Sequence, residues 1–361
     1  MVKEWIDQWN PFNSAKVLIW SEQLKALSEG KILPPVTVDT DPTTLCNYNC
    51  GWCNAQAYRK VKHMLSKEQL NKLVSIYSEW NVKSTCIAGG GEPTLNKHLS
   101  DFIFDLYSNG IESGVITNGS VVTEKQLEYM ALYSRWVGFS IDAGNEETYI
   151  KIKGISDKNN FRKVLSNIEK LCNLRQKSSG NKVDVAFKYL VSPDNIHTIY
   201  KAADIAKKCG VQHFHMRPAC VDNLVSDVKH SKYSFTRYAE LIHSEINKSL
   251  GFVDENFQVF AVQHKFTPQL ERKISFRECR ATPLLATFGA DGYCHLCFDL
   301  RGKEDFIMCR HEEILEYWGS EKHKRLIGSI IPQSCPRCTF GSYNEIIEKV
   351  FIKDRMCRNF P

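Results

Sequence analysis

Three cysteines on one short stretch, Cys46-Asn47-Tyr48-Asn49-Cys50-Gly51-Trp52-Cys53, are the residues best placed to do chemistry. Their spacing is C-x3-C-x2-C. Three thiolates so arranged can hold three irons of a [4Fe–4S] cube. The fourth iron is then left without a protein ligand, open to a small molecule that chelates through amino and carboxylate groups, as methionine can. Two other chemistries compete. Structural zinc wants four closed ligands, usually in paired C-x2-4-C units. Bacterial ferredoxins use C-x2-C-x2-C with a fourth cysteine nearby. The internal spacing here differs from the ferredoxin one, and the next cysteine along the chain is Cys86.

The surrounding elements must position that loop. A chain of 361 residues is long enough for one large domain and a smaller appendage. A hydrophobic fraction of 43% and a charged fraction of 24% are those of a globular protein. No run reaches the roughly 18 apolar residues of a membrane span, and the charged N-terminus lacks an apolar signal core, so a cytoplasmic protein is expected. The net charge of +6 alternates with acids along the apparent helices, which reads as a solvated surface, not a nucleic-acid face. The 14 cysteines are then in a reducing compartment and call for metal, reactivity or burial.

Residues 12–29 read as an amphipathic helix, capped by Asn13 or Ser14 and stopped at Gly30. After Pro34-Pro35, a strand starts at Val36-Thr37-Val38. Further β-rich runs cover 84–88, 114–117, 136–141, 183–191 and 211–216, with helical patterns at about 67–80, 96–109, 123–134, 159–174 and 196–208. Ser66–Gln69 and Thr123–Gln126 are capping boxes. Six β/α units predict an α/β fold, a partial (β/α)6 TIM-like barrel over 36–225, with functional residues at the C-terminal ends of its strands. Residues 1–35 are expected to be an N-terminal helical extension, 226–269 a helical linker, and the cysteine-rich 270–361 a small α+β domain.

Cys46, Cys50 and Cys53, with Trp52 at the aromatic position, resemble the C-x3-C-x-Φ-C signature of the radical S-adenosylmethionine (SAM) superfamily. Other motifs follow in order. Gly89-Gly90-Gly91-Glu92-Pro93 sits between a strand and a helix, where glycines let backbone approach a ligand; it is similar to the family's GGEP motif, whose backbone binds the methionine amino group. Thr117-Asn118-Gly119 resembles its TNG turn. Ser140 and Asp142 end the fourth strand, where related enzymes place a polar side chain on the SAM ribose. Read without the resemblance, each of these is a turn. Lys188 in the fifth strand either pairs with the SAM carboxylate or lies on a solvated face. Arg217, at the exit of the sixth, offers a donor fork for substrate or forms a structural ion pair. His213 and His215, without a third ligand in view, read as packing residues.

In the tail, Cys279 is followed by twelve residues, Gly292, four residues and Cys297, and later by Cys335-Pro336-Arg337-Cys338. This looks like the twitch form of the SPASM extension of some radical SAM enzymes. Asp291-Gly292 is a hairpin signal. The resemblance implies that Cys279, Cys297, Cys335 and Cys338 hold one auxiliary [4Fe–4S] cluster; zinc on the same four is the competing reading. Cys294 also fits the spacing and could replace Cys297. A full SPASM pattern needs a cysteine where Asn344 stands, so one auxiliary cluster is expected. Cys309 and Cys357 stay unassigned, and Cys86, Cys172 and Cys209 read as buried small hydrophobes.

The resemblance implies reductive cleavage of SAM to a 5′-deoxyadenosyl radical that takes hydrogen from an unreactive carbon, with electrons from a flavodoxin- or ferredoxin-type reductant. The interval from Cys279 to Cys297 is similar to that of radical SAM dehydrogenases acting on aminocyclitols. A dehydrogenase of a sugar- or cyclitol-like molecule is therefore expected, the auxiliary cluster accepting an electron. The alternatives are a peptide maturase, an epimerase with Cys294 or Cys309 returning a hydrogen atom, and an electron carrier without catalysis.

Overall fold

The computed structural model describes residues 13–180, 182–219, 235–261, 274–335 and 338–353; Cys220 and Cys357 lie outside them. The N-terminal helix expected over 12–29 is divided. A 3-10 segment, Ser14–Ile19, turns at Trp20 into α1 (Ser21–Ser28). The turn lets Val17 and Leu24 bury together against Leu284 and Ile347 of the distant C-terminal segment.

Seven strands follow one another as parallel neighbours: β1 (Thr37–Thr40), β2 (Ser84–Ile87), β3 (Glu112–Thr117), β4 (Trp136–Ser140), β5 (Asp184–Val191), β6 (His213–Pro218) and β7 (Gln258–Ala261). The connecting helices are α2 (Lys67–Glu79), α3 (Leu99–Ser108), α4 (Glu124–Tyr133), α5 (Glu146–Lys153), α6 (Asn160–Lys177), α7 (Ile199–Lys208) and α8 (Ala239–Ser249). The period of two along each strand sorts the side chains. Val115, Val137, Phe139, Val185, Phe187 and Phe214 are fully buried beneath the helices. The alternate positions, among them Ile116, Ser140, Leu190 and Arg217, turn to a central cavity. Both capping boxes form: Ser66 Oγ accepts from Gln69 N–H, Thr123 Oγ1 from Gln126 N–H, and each glutamine returns the bond.

Two elements depart from the sequence reading. The stretch expected as a helical linker supplies both α8 and β7, which pairs with β6 from His213↔Gln258 to Met216↔Ala261. Four residues are too few for an alternation to stand out. Helix α5 also escaped the periodicity, having only eight residues, although its punctuation is present in the sequence. Asn145 caps it, Glu146 and Glu147 open it, Lys151 and Lys153 close it, and Gly154 ends it at φ 61°.

Among the described residues, the cysteine-rich segment adds its strands to the barrel's sheet. Its β8 (Leu285–Phe288) lies parallel to β1, and β9 (Tyr293–His295) and β10 (Ile307–Arg310) continue antiparallel, giving one ten-stranded sheet. The predicted Asp291-Gly292 hairpin joins β8 to β9, with Gly292 at φ 85°. Phe288 of β8 packs on Tyr77 and Trp80 of α2, with ring centroids 4.9 and 6.2 Å apart. Arg301 grips both carboxylate oxygens of Asp41 at 2.8 and 2.7 Å, and both side chains are buried. Among the described residues, the segment's α-helices are α9 (Ile314–Tyr317), α10 (Glu321–Gly328) and α11 (Gly341–Ile346). No helix among the described residues is long and apolar enough to cross a membrane.

Candidate active site

The loop carrying Cys46, Cys50 and Cys53 leaves the C-terminal end of β1 and is held from two sides. On one side stand the glycines after β2. A Cβ on Gly91 would overlap the carbonyl oxygens of Leu45 and Thr43, and one on Gly89, at φ 115°, would overlap the Asp41 side chain. Glycine is therefore required here by the close approach of two backbones. Glu92 N–H then donates to Leu45 O at 2.7 Å. On the other side stands the end of α5: Asn49 N–H donates to Lys153 O at 3.0 Å and Gly51 N–H to Ile152 O at 3.4 Å. Tyr48 is buried between these supports, its hydroxyl 2.9 Å from that of Tyr149 and donating to Asn160 Oδ1 at 2.6 Å.

Glu92 organises the neighbouring turn. Its buried carboxylate accepts from Thr94 N–H and hydroxyl, from the Thr117 hydroxyl at 2.6 Å and from Asn118 N–H at 2.7 Å. Both oxygens are thus engaged within the protein. Asn118 passes the order on, donating from Nδ2 to Asn47 Oδ1 at 2.9 Å, beside Cys46.

A single cavity of about 350 Å³ opens over these parts. The three loop cysteines, Trp52, Gly91, Glu92, Thr117, Asn118, Ser140, Asp142 and Arg217 all face it. So do Phe298, Asp299, Cys335 and Cys338 of the C-terminal segment. The fold therefore brings both predicted cysteine groups to one wall, far apart as they are in sequence. Cys279 and Cys297 stand behind Cys338 and Cys335, close enough that their charges act on one another.

Three candidates are placed elsewhere. Lys188 is not on the cavity wall. Its stem lies over Gly138, whose missing side chain makes the room, and its ammonium sits 5.2 Å above the Trp136 ring. Gly90 packs against Tyr58, and Pro93 is buried at the start of a 3-10 turn, so neither reaches the cavity. Cys294 and Cys309 face each other across β9 and β10, buried and away from the cavity, so neither is placed to return a hydrogen atom.

Two cations near the loop were not singled out from the sequence. Lys153 is 2% exposed and its Nζ lies 2.6 Å from Asp142 Oδ2. Asp142 is held in the left-handed region at φ 62°, where its Oδ1 also accepts from Leu190 N–H; such strain persists only where surroundings enforce it. Arg59 donates to Cys53 Sγ at 3.6 Å and to Tyr48 O at 2.9 Å. The cap and stop residues of α5 could have located Lys153. Arg59 carries no comparable sequence signal.

The electrostatics suit a bound cation cluster. Burial raises the Cys46 thiol, and pushes that of Cys50 up to about 11, with Lys153 opposing. Burial likewise raises Cys297, Cys335 and Cys338, and neighbouring thiols and Asp299 add to it. Burial thus favours the neutral thiols, and holding them as thiolates here would take a metal cation beside them. Among the described residues, no three His, Cys, Asp or Glu side chains stand together at metal-ligating spacing; the common cavity groups Cys46, Cys50 and Cys53 with Cys335 and Cys338. Sulfur donors alone suit iron–sulfur ligation: three thiols stand on the β1 loop, and the predicted Cys279, Cys297, Cys335 and Cys338 are four of the six described in the C-terminal segment.

Comparison with known proteins agrees. Residues 40–204 match the Radical SAM superfamily model. A probable GTP 3',8-cyclase of Saccharolobus islandicus is 23% identical over 175 residues, 48% of this chain and 54% of that protein, so the chain spans about half the length of the curated relatives it matches. Streptococcus suis SuiB, solved with its precursor peptide SuiA, superposes with TM-score 0.64 at 16% identity, over 89% of this chain and 73% of that one. The structure of anSMEcpe with bound AdoMet gives 0.60 at 18% identity, over 86% and 89%. These likenesses establish the fold. With the family match and the three thiols at the mouth of β1, residues 40–204 form a radical SAM domain, of the family that works with a [4Fe–4S] cluster and SAM.

Proposed function

We propose that the protein is a radical SAM oxidoreductase that removes hydrogen from a small hydroxylated molecule, with an auxiliary [4Fe–4S] cluster as electron acceptor. One observation carries this reading: Cys46, Cys50 and Cys53 share a cavity with Cys335 and Cys338. A substrate between the two groups could give up a hydrogen atom on one side and an electron on the other.

Cys46, Cys50 and Cys53 would hold the first cluster, whose open iron and bound SAM supply a 5′-deoxyadenosyl radical. Cys279, Cys297, Cys335 and Cys338 would hold the second, which supplies a one-electron acceptor. The remaining residues position and shield. Asn118, Ser140 and Asp142 offer polar contacts to an amino acid and a sugar, and Trp52 an apolar wall for a base. Arg217 and Asp299, from opposite segments of the chain, offer a cation and an anion to a polar substrate. The buried Phe276 and the half-buried Phe298 and Leu190 give the cavity an apolar wall that would keep water from a reactive radical. A flavodoxin- or ferredoxin-type protein is the proposed reductant.

Anaerobically reconstituted, dithionite-reduced protein should convert SAM to 5′-deoxyadenosine and methionine; no conversion ends the reading. The Cys46→Ala/Cys50→Ala/Cys53→Ala variant should retain about four irons per chain, and adding Cys279→Ala should remove them. Retained zinc in place of iron would overturn the second cluster. Against a panel of aminocyclitols and sugars, one SAM should be used for each product two electrons poorer. Solvent deuterium at one carbon of an otherwise unchanged substrate would instead identify an epimerase.

A further inference from the structure

Asn344 occupies the position between the two halves of the C-terminal cysteine group. It lies on α11 and is wholly buried, at 0% exposure. Its Oδ1 accepts from the backbone N–H groups of Arg280 and Ala281, the two residues after Cys279. Its Nδ2 donates to Phe340 O at 3.2 Å and to Cys338 Sγ at 3.8 Å. The orientation of the amide follows from its partners. Two backbone N–H donors can be met only by the oxygen, so the NH2 must face the sulfur.

Every bonding position of this side chain is therefore spent on joining the two segments. The oxygen fixes the backbone leaving Cys279, and the nitrogen fixes Cys338 and the turn that follows. Across the same group, Asp299 accepts from the Thr339 N–H and hydroxyl at 2.7 and 2.8 Å. An acid and an amide thus flank Cys338; of these two side chains the amide offers a proton to sulfur, beside the Phe340 backbone N–H.

We propose that Asn344 is a positioning residue of the auxiliary cluster. It sets the distance between Cys279 and Cys338, and its N–H raises the cluster's reduction potential by hydrogen bonding to a ligand sulfur. The inference rests on the reading that Cys279, Cys297, Cys335 and Cys338 hold a cluster. Hydrogen bonds to sulfur stabilise the more negative, reduced state, and partners that orient ligands control metal retention.

The two functions separate by substitution. Asn344→Asp keeps an oxygen for Arg280 and Ala281 but loses the N–H toward Cys338. Asn344→Ala loses both. In the Cys46→Ala/Cys50→Ala/Cys53→Ala background, Asn344→Asp should keep its iron. Its midpoint, read by EPR-monitored titration, should fall by at least the 59 mV that a tenfold change in the oxidised-to-reduced ratio represents for one electron. Asn344→Ala should lose iron to a chelator about 10- to 100-fold more readily. In the otherwise intact chain, the same fall should appear on the EPR signal that added SAM leaves unchanged. Unaltered midpoint in Asn344→Asp together with unaltered iron retention in Asn344→Ala would overturn the proposal. Absence of iron from the triple-alanine background would instead end the cluster reading on which it stands.

Discussion

Residue by residue, the loop of Cys46, Cys50 and Cys53 is supported by groups that the motif itself does not contain. Lys153 and Asp142 form an ion pair behind Cys50, with side chains 3% and 2% exposed. Removing one partner of so buried a pair leaves an uncompensated charge, at a cost of about 3–5 kcal/mol. Lys153→Met should lower unfolding stability by that amount in chemical denaturation, and Asp142→Asn added to it should recover part of the loss. A variant as stable as the parent would show that the pair is not buried in solution. The pair accompanies a rare backbone at Asp142: at φ 62° the carboxylate reaches Lys153 and Leu190 N–H together.

Among the elements, the turns after β1, β2 and β3 and the end of α5 operate as one assembly. Leu45, just before Cys46, gives its carbonyl to the Glu92 N–H, Glu92 gives its carboxylate to Thr117 and Asn118, and Asn118 returns to Asn47. Gly91 is the tightest point, since a methyl group there would meet the backbone of Leu45 and Thr43. Gly91→Ala should displace the loop and reduce the iron retained after reconstitution at least tenfold, measured by iron and sulfide analysis. The same substitution at Gly110, where a Cβ meets nothing within 4 Å, is the control for loss of glycine as such, with its φ of 72° costing stability but not iron. Equal iron in both variants would refute the close-packing argument.

At the scale of the whole molecule, the barrel and the C-terminal segment share buried charge. Asp39 and Asp41 lie at and just beyond the C-terminal half of β1, and Arg301 reaches them from the far segment. Burial pushes the Asp39 carboxyl up to about 7, Arg301 opposing and Asp41 adding. A carboxyl raised in this way holds its proton longer in the folded state. Its contribution to stability therefore falls as pH rises from 3.8 toward 7 and stays low above that. Burial drives His311 and His323 the other way, to about 4. They remain neutral in the fold while the unfolded chain takes up protons, so their contribution is lost as pH falls from 6.5 toward 4. Over this shared range the two contributions run in opposite directions and partly cancel, so each is read by removing the other. Asp39→Asn should gain on the parent progressively from pH 4 to about 7; a constant difference across that range would refute the assignment.

The sequence determined by itself whatever local chemistry and short-range pattern encode. Thiol spacing on the β1 loop, the two capping boxes, the glycine run and the Asp291-Gly292 turn are all contained within a few residues, and each is found where its pattern placed it. Strand and helix alternation likewise gave the barrel, because period two and period 3.6 differ plainly over long runs. It did not reveal β7 or α5, which are too short for a period to repeat. Nor did it place Lys188, whose direction depends on the space left by Gly138 and the ring of Trp136 on the neighbouring strand. Tertiary structure alone decided that the cysteine-rich tail continues the barrel's sheet along β1, and that Cys335 and Cys338 face the cavity of Cys46, Cys50 and Cys53. The reason is physical. Contacts such as Arg301 with Asp41, or Asn344 with Arg280, close loops of tens to hundreds of residues, and no spacing along a chain records which distant partners will satisfy a buried charge or amide.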